Sequence, residues 1–279
     1  MIEQRLQAVI ASEQLDLPVL PAVATQIVQL THDENADAAG LASLITSDPV
    51  LAGQIMRLAN SAAISNGAKI QSLQQAIARL GMSAIGEMAL SVSVGSKLEI
   101  KHRSASQSIQ RIWKESLATA CWSKELARVC RFNTEVAFLS GLMHQIGKAL
   151  ALHLIVQCLE GDDFPDAATV VDLSQRYYVP LNTRLADAWS MPDIVATVMS
   201  SAEQLVQPKI QHEDRNVADM LAVVKAAKLL AAMHIEDDKS FEQVTVDPIF
   251  VELNLYEEDL IGLSAKQETI GGKVDAMLL

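Results

Sequence analysis

The sequence contains few aromatic residues and few helix-breaking residues. Of its 279 residues only 4% are aromatic, while 12 are glycine and 8 are proline. The core must therefore consist mainly of aliphatic side chains and methionine. Alanine, leucine, glutamine and glutamate are frequent, and this composition favours helices. No segment alternates apolar and polar residues at a period of two, so we expect an all-α protein without a β-sheet.

Long apolar runs are also missing. The longest uncharged runs, 136–147 and 149–159, are shorter than the ~18–20 residues that a membrane-spanning helix needs, and Lys148 separates them. The first five residues lack the basic region and following apolar stretch of a secretory signal. We therefore expect a soluble, cytoplasmic protein that does not use a membrane as partner.

Motifs for nucleophiles, nucleotides and paired thiols are absent as well. The sequence contains no GxSxG, no P-loop and no GxGxxG motif, and no Cys/His pairing indicates a nucleophile. The three cysteines, Cys121, Cys130 and Cys158, form no CxxC pair and lie in helical apolar runs. They are expected to be ordinary core thiols in a reducing compartment.

The net charge of −12 argues against a nucleic-acid-binding protein, because a polyanion is repelled on average. The charge is distributed unevenly. Residues 97–131 contain eight Lys/Arg and three Asp/Glu, while residues 232–279 contain eleven Asp/Glu and three Lys/Arg. Solvated faces of opposite sign are the simplest explanation, and a basic patch that docks an acidic partner or a phosphate is the alternative.

Capping and breaking signals divide the chain into many helices. Each of several short polar residues precedes an apolar helical pattern, and the candidate N-caps are Asp37, Ser47-Asp48 before Pro49, Ser72, and either Asn133 or Thr134. Pro180 is expected to stop a helix. The polar stretch 101–108 is interpreted as a linker between two closely packed helical parts. We thus predict an amino-terminal helical bundle over residues 1–100, a second bundle over 101–235 and an acidic helical segment over 236–279.

The stretch 135–148 is the centre of this arrangement. A helix through it would be apolar almost all the way round, which is typical of an element surrounded by other helices. Two adjacent polar residues, His144 and Gln145, interrupt it. Since buried polar groups need partners, this pair marks a site or the remains of one.

A series of short motifs makes the chain resemble the HDOD domain family over roughly residues 15–235. In order they are Leu17-Pro18-x-Leu20-Pro21, Ser47-Asp48-Pro49-x-Leu51, Arg57-Leu58-Ala59-Asn60-Ser61-Ala62, Ile77-x-Arg79-Leu80-Gly81, Trp113-x-x-Ser116, Phe138-Leu139-x-Gly141-Leu142-Met143-His144-x-Ile146-Gly147 and Ala186-x-Ala188-Trp189-x-Met191-Pro192. The resemblance implies an all-helical fold used in bacterial signalling. It also implies kinship with the HD superfamily of metal-dependent phosphohydrolases, usually without their catalytic residues.

The resemblance implies that the metal ligands of that superfamily are lost in this chain. The superfamily binds divalent metal through an early His, a His-Asp pair and a later Asp, and the metal activates a water molecule. Here His144 matches the His of the pair, but Gln145, a poor metal ligand, replaces the Asp. Glu115 occupies the place of the early His, and Lys228 that of the later Asp. We therefore expect no metal, no cofactor and no catalytic residue.

These four residues remain candidates for a vestigial pocket. Three interpretations of His144 remain open: a metal ligand, a polar group of a pocket, or a core histidine whose ring is hydrogen-bonded to a backbone carbonyl. Alternatively, Glu115, His144 and Lys228 form an internal cluster in which the lysine supplies the positive charge of the lost metal.

The expected function is a non-enzymatic regulatory module of a bacterial signalling pathway that binds a signalling protein in trans. One rival is a metal-dependent phosphohydrolase of a nucleotide or cyclic dinucleotide. Another is a sensor that binds a phosphorylated small ligand through Lys228 and nearby cations.

Overall fold

The chain is mostly helical in the computed structural model, which describes residues 2–12, 15–30, 37–64, 69–98, 100–159, 164–236 and 239–278. No β-strand occurs in these ranges, which confirms the predicted all-α class. In chain order the helices are α1 (Ile2–Ala11), α2 (Ala22–Leu30), α3 (Ala38–Thr46), α4 (Pro49–Ala59), α5 (Leu73–Leu80), α6 (Met82–Gly95), α7 (Arg103–Cys130), α8 (Thr134–Met143), α9 (Ile146–Gln157), α10 (Ala167–Ala188), α11 (Asp193–Ser200), a 3-10 helix (Ala202–Val206), α12 (Arg215–Ala232), α13 (Phe241–Thr245), α14 (Ile249–Glu252), α15 (Glu257–Ser264) and α16 (Gln267–Met277).

The predicted N-caps are confirmed. The Asp37 side chain accepts a hydrogen bond from the Gly40 amide at 2.6 Å, and the Ser72 hydroxyl accepts one from the Gln75 amide at 3.1 Å. Asn133 caps α8 in the same way. Because the first amides of a helix have no partner within it, these short polar side chains fix where each helix begins.

Two predicted boundaries are wrong. The expected linker 101–108 is mostly helical, since α7 already begins at Arg103 with His102 as its N-cap. Pro180 lies inside α10 rather than at its end. Proline withholds the hydrogen bond that would reach the carbonyl of Arg176 one turn earlier. Both residues are exposed, so water can hydrate that carbonyl and the helix continues.

The described residues divide into two compact units, and the first comprises residues 1–19 and 98–257. In this unit α7 packs against α8, α9 and α12, and α10 packs against α9 and α11. Leu117, Trp122 and Leu126 of α7 are each 0% exposed. The long helix α7 is therefore the central element of the first unit.

The second unit comprises residues 20–97 and 258–279. Helices α2, α4, α5 and α16 contact α6, and the core is aliphatic, with Ile45, Ile55 and Ile85 each 0% exposed. The sequence of this unit contains no Phe, Trp or Tyr, so every aromatic residue of the chain belongs to the first unit.

This division differs from the predicted ranges 1–100, 101–235 and 236–279 at both ends of the chain. Helix α1 belongs to the first unit, where it contacts α9. The acidic segment is shared, because α13 and α14 pack on α12 whereas α16 packs on α6. Charge composition does not reveal this, because the buried residues of α16, Ile270 and Val274, are spaced among polar ones.

One stretch, Thr134–Gln157, has the length and mean hydropathy of a membrane span once the two apolar runs are taken together. However, 83% of its apolar window is buried inside the protein, as in the core helix of a soluble domain.

Candidate functional site

The central polar pair lies at a break between two helices. The chain leaves α8 at His144 and begins α9 after Gln145, whose φ of −130° is not helical. The stretch 135–148, which the sequence predicted as one helix, thus contains the end of α8 and the beginning of α9. Both side chains at the break are 1% exposed, so their polar groups and the open backbone groups around them need partners within the protein.

Asn182 of α10 supplies the backbone partners. Its side-chain oxygen accepts a hydrogen bond from the Gly147 amide at 2.7 Å. Its amide group donates to the carbonyls of His144, at 2.6 Å, and Met199, at 3.0 Å. Asn182 is 0% exposed and therefore acts as a buried clamp on the break. Asn182 was not predicted as a site residue, because nothing local in the sequence distinguishes it from other helical asparagines.

Two glycines allow the neighbouring helices to approach the break closely. A Cβ atom on Gly147 would lie 2.2 Å from the Tyr178 carbonyl oxygen, and one on Gly141 would lie 2.8 Å from the Ala120 Cα. Any side chain at these positions would force α10 or α7 away. The glycines in the stretch 135–148 therefore set the positions of the helices that carry the site.

The hydrogen bonding of His144 determines its tautomer. Its Nδ1 lies 2.7 Å from the Gly141 carbonyl oxygen, which can only accept, so Nδ1 carries the proton. In the neutral ring Nε2 is then an acceptor, and this buried atom has no hydrogen-bond partner. Burial, together with the positive charge of Lys228, lowers the pKa of His144 to about 3, so the ring is neutral near pH 7.

Glu115 and Lys228 form an ion pair between α7 and α12. Lys228 Nζ lies 2.5 Å from Glu115 Oε1, and each side chain is 24% exposed. Burial alone would raise the pKa of Glu115, but the charge of Lys228 and its hydrogen bond outweigh burial and lower the pKa to about 2. The carboxylate is therefore ionised and held by the lysine.

Lys148 completes the group and was not identified as a site residue from the sequence. Its Nζ donates to Gln145 Oε1 at 3.1 Å and lies 5.1 Å from the ring centre of Tyr178. Burial and repulsion by Lys228 lower the pKa of Lys148 to about 8. The spacing of three residues from Gln145 at the start of a helix was a signal that could have placed it beside that amide.

Gln145 links this group to α7. Its amide nitrogen donates to the Ile112 carbonyl oxygen at 3.3 Å and to Ser116 Oγ at 3.4 Å. The four predicted site residues, Glu115, His144, Gln145 and Lys228, thus lie in one neighbourhood together with Lys148. We call these five residues the polar cluster.

The polar cluster does not fit a divalent metal ion. The described residues contain no group of three His, Cys, Asp or Glu side chains placed to hold one. Lys228 occupies the carboxylate of Glu115, and its positive charge would repel a dication. Among the possible metal-ligating atoms of the cluster, His144 Nε2 alone is both buried and without a hydrogen-bond partner. One imidazole by itself binds a metal ion weakly.

Comparisons with known proteins agree on family and fold. The sequence model of the HDOD domain matches residues 17–205. An uncharacterised protein of Treponema pallidum (strain Nichols) is 19% identical in an alignment over 249 residues that covers 86% of this chain and 47% of that protein. The chain thus spans about half the length of the curated relative that it matches.

Two solved structures share the fold. One is a protein of Shewanella amazonensis SB2B provisionally named a metal-dependent phosphohydrolase, with a TM-score of 0.72, 18% identity and 99% coverage of both chains. The other is a protein of Marinobacter aquaeolei VT8 provisionally named a signal transduction protein. Its TM-score is 0.68 at 20% identity, with coverage of 99% of this chain and 65% of that one.

Proposed function

The chain belongs to the HDOD domain family, and from this premise we propose that it is a non-enzymatic regulatory module that binds a signalling protein in trans. The observation that carries the proposal is the Glu115–Lys228 ion pair. In a phosphohydrolase, anionic side chains would hold a metal ion, and the metal ion would activate water. In this chain the Lys228 ammonium group forms an ion pair with the Glu115 carboxylate. The polar cluster therefore joins α7 and α12 instead of binding a catalytic metal ion.

Partner binding is proposed to use exposed helix surfaces. Large apolar side chains are exposed on several helices, including Val50 on α4 (71%), Val171 on α10 (67%) and Val251 on α14 (69%). A single exposed apolar side chain is common at a protein surface, so substitution decides whether a partner uses any of these positions. Each of these three residues can be changed to a charged one without opening a buried site.

Affinity capture from the native host tests the regulatory proposal. We expect the wild-type protein to retain a specific partner. At least one of the variants Val50→Glu, Val171→Glu and Val251→Glu should fail to retain it. Circular dichroism should show that all three variants are folded. Capture of the same proteins by wild type and by all three variants would count against binding through these surfaces.

A metal-dependent phosphohydrolase is the second candidate, and the orientation of His144 favours it. A metal-binding histidine commonly donates a hydrogen bond from its second ring nitrogen to a backbone carbonyl, as His144 Nδ1 does to the Gly141 carbonyl. Under our proposal, purified protein holds well below one equivalent of Fe, Mn or Zn, and phosphodiester hydrolysis equals that of His144→Ala. Stoichiometric metal with turnover that His144→Ala abolishes would establish the enzyme instead.

A further inference from the structure

Helix α1 is the most weakly packed helix of the first unit. Leu6 is the only one of its ten residues that is buried, and every other described helix of this unit buries a larger share of its residues. A helix of this length is not stable alone, since isolated helices shorter than about 12–15 residues are marginal in water. The helical form of α1 therefore depends on the surface beneath it.

Two arginines of α10 hold α1 near its two ends. Arg176 forms an ion pair with Glu3 in the first turn of α1. Arg184 donates to the carbonyl oxygens of Ile10, at 2.7 Å, and Ser12, at 2.9 Å. The last carbonyls of a helix have no partner within it, so Arg184 supplies donors that the end of α1 needs.

The spacing of these contacts shows that α1 runs alongside α10 in the same direction. The two arginines are eight residues apart, which is about 12 Å along a helix. Their partners on α1, from Glu3 to the carbonyls of Ile10 and Ser12, are seven and nine residues apart. Leu6 is buried between these ends, where α1 packs against α9. We call α9 together with Arg176 and Arg184 the α1-binding surface.

Another helix could make most of the same contacts. Arg184 binds backbone carbonyls, which every helix offers at its end. The side chains with good contacts are an acid and a leucine three residues later. Arg5 also reaches α9, but its hydrogen bond to the Cys158 carbonyl oxygen is long, at 3.4 Å, and therefore weak. The α1-binding surface thus recognises a short pattern and not a unique sequence.

The segment that follows α1 is attached independently. Trp189 Nε1 donates to the Pro18 carbonyl oxygen at 2.7 Å, and Trp189 is itself buried. This bond holds residue 18 whether or not α1 is in place. Release of α1 therefore costs the contacts of one short helix and leaves the rest of the unit packed.

We propose that α1 is a displaceable intramolecular ligand, and that the signalling partner docks a helix of the same pattern in its place. That helix has an acid in its first turn, a leucine three residues later and its last carbonyls seven to nine residues after the acid. This inference rests on the proposed function, because it names the element by which the partner binds. Since α1 competes as a tethered ligand, it lowers the apparent affinity for the partner.

Fluorescence anisotropy of a labelled synthetic peptide of residues 2–12 tests the α1-binding surface on the isolated full chain. Leu6→Asp in the chain should undock α1 without altering α9 or α10, because burying a carboxylate is costly. This variant should bind the peptide saturably, one per chain, and at least about tenfold more tightly than wild type, whose surface is occupied. A peptide that carries Leu6→Asp should bind at least about tenfold more weakly. Equal affinity of both chains for the unsubstituted peptide overturns the proposal.

A charge exchange tests the same contacts without touching a buried residue. Glu3 and Arg176 are 47% and 50% exposed, so substitution of either leaves the core intact. The chain with Arg176→Glu should bind a Glu3→Arg peptide at least about threefold more tightly than the unsubstituted peptide, since repulsion becomes attraction. Arg111→Glu, at an exposed arginine of α7 in the same unit, is the matched control and should show no such preference. An equal preference in both chains indicates diffuse attraction and overturns the proposal.

Affinity capture distinguishes failure of this inference from failure of the proposed function. The full chain with Leu6→Asp should retain more of the partner than wild type, and excess peptide of residues 2–12 should release it, whereas the Leu6→Asp peptide should not. If both chains retain one partner equally and the peptide does not release it, the proposed function stands and this inference is overturned. If the isolated variant binds the peptide but neither chain retains a partner, the proposed function is overturned, and the partner helix with it.

Discussion

Lys228 and Glu115 are each three-quarters hidden from water, so each charge depends on the other. Removing one partner from such a pair leaves an unpaired charge in a poorly hydrated place, and this costs more than the intact pair contributes. The loss of stability on substitution therefore depends on which partner is removed and on the protonation state of the side chains that remain.

The first prediction concerns the ion pair. Lys228→Met should lower the free energy of unfolding by about 1–3 kcal/mol, because Glu115 loses its cation while remaining largely buried. Urea unfolding followed by tryptophan fluorescence measures this change in the first unit, which contains all the tryptophans. The double variant Glu115→Gln/Lys228→Met should be more stable than Lys228→Met alone. Additive losses in that double-mutant cycle would show that the two side chains do not interact.

The second prediction concerns the pH dependence from His144. Its pKa falls from 6.5 to about 3 on folding, so below pH 6.5 the unfolded chain binds a proton that the folded chain does not. The contribution of this residue to the free energy of unfolding is therefore fully present above pH 6.5 and is lost as the pH falls. It decreases by about 2 kcal/mol between pH 7 and pH 5. The charged groups acting on the ring are Glu115, Lys148 and Lys228.

Comparison of wild type with His144→Gln isolates that contribution. The difference in their unfolding free energies should change by about 2 kcal/mol over the same pH interval, since other histidines contribute equally to both proteins. Glu115 does not interfere, because its pKa is lowered from 4.5 to about 2 and its stabilisation is lost only below pH 4.5. Parallel pH curves for the two proteins would show that the buried ring titrates normally.

The sequence predicted part of the cluster for a physical reason. Glu115, His144 and Lys228 could be proposed together because a family resemblance aligns positions that are distant in the chain. Asn182 could not be ranked in the same way. Its role depends on backbone groups that open only because α8 ends at Met143, and the apolar pattern through 135–148 does not reveal that break.

At the scale of elements, close helix contacts hold the break between α8 and α9. Gly147 lies against the backbone of α10, and Gly141 lies against the backbone of α7. The hydrogen bonds of Asn182 join α10 to His144 at the break and to Gly147 in α9. Sequence patterns predicted where most helices start, because caps are local, but such contacts are set by the partner helix and are visible only in three dimensions.

The third prediction uses glycines with opposite surroundings. Gly147→Ala places a methyl group 2.2 Å from the Tyr178 carbonyl oxygen and should destabilise the protein by about 3 kcal/mol or more. Gly53→Ala in α4 meets no atom within 4 Å and should stabilise by about 0.5–1 kcal/mol, because alanine loses less entropy in a helix. Chemical unfolding followed by circular dichroism compares them, and a tolerated Gly147→Ala would mean that α9 and α10 are farther apart.

At the scale of the whole molecule, each unit is assembled from two distant pieces of chain. Residues 258–279 complete the unit formed by 20–97, although 160 residues of the other unit intervene, namely 98–257. Composition predicted an acidic carboxy-terminal segment of short helices but could not show which core each helix completes. That information lies in a few apolar residues whose partners are far away in sequence.

The fourth prediction compares two isoleucines in the carboxy-terminal segment. Ile270 of α16 is 2% exposed, whereas Ile261 of α15 is 64% exposed. Because α16 contacts α6, Ile270→Ala should leave a cavity in that unit and destabilise it by about 2–4 kcal/mol. Ile261→Ala removes the same atoms from a solvent-exposed place and should change stability by less than about 0.5 kcal/mol.

Hydrogen exchange measured by peptide mass spectrometry locates the effect. In Ile270→Ala, amides of α6 and α16 should exchange faster than in wild type, because local opening costs less once the core contact is gone. In Ile261→Ala the exchange of both helices should match wild type. If Ile270→Ala leaves the exchange of α6 unchanged, then residues 258–279 are a tail on a complete bundle, as their composition alone indicates, and not part of its core.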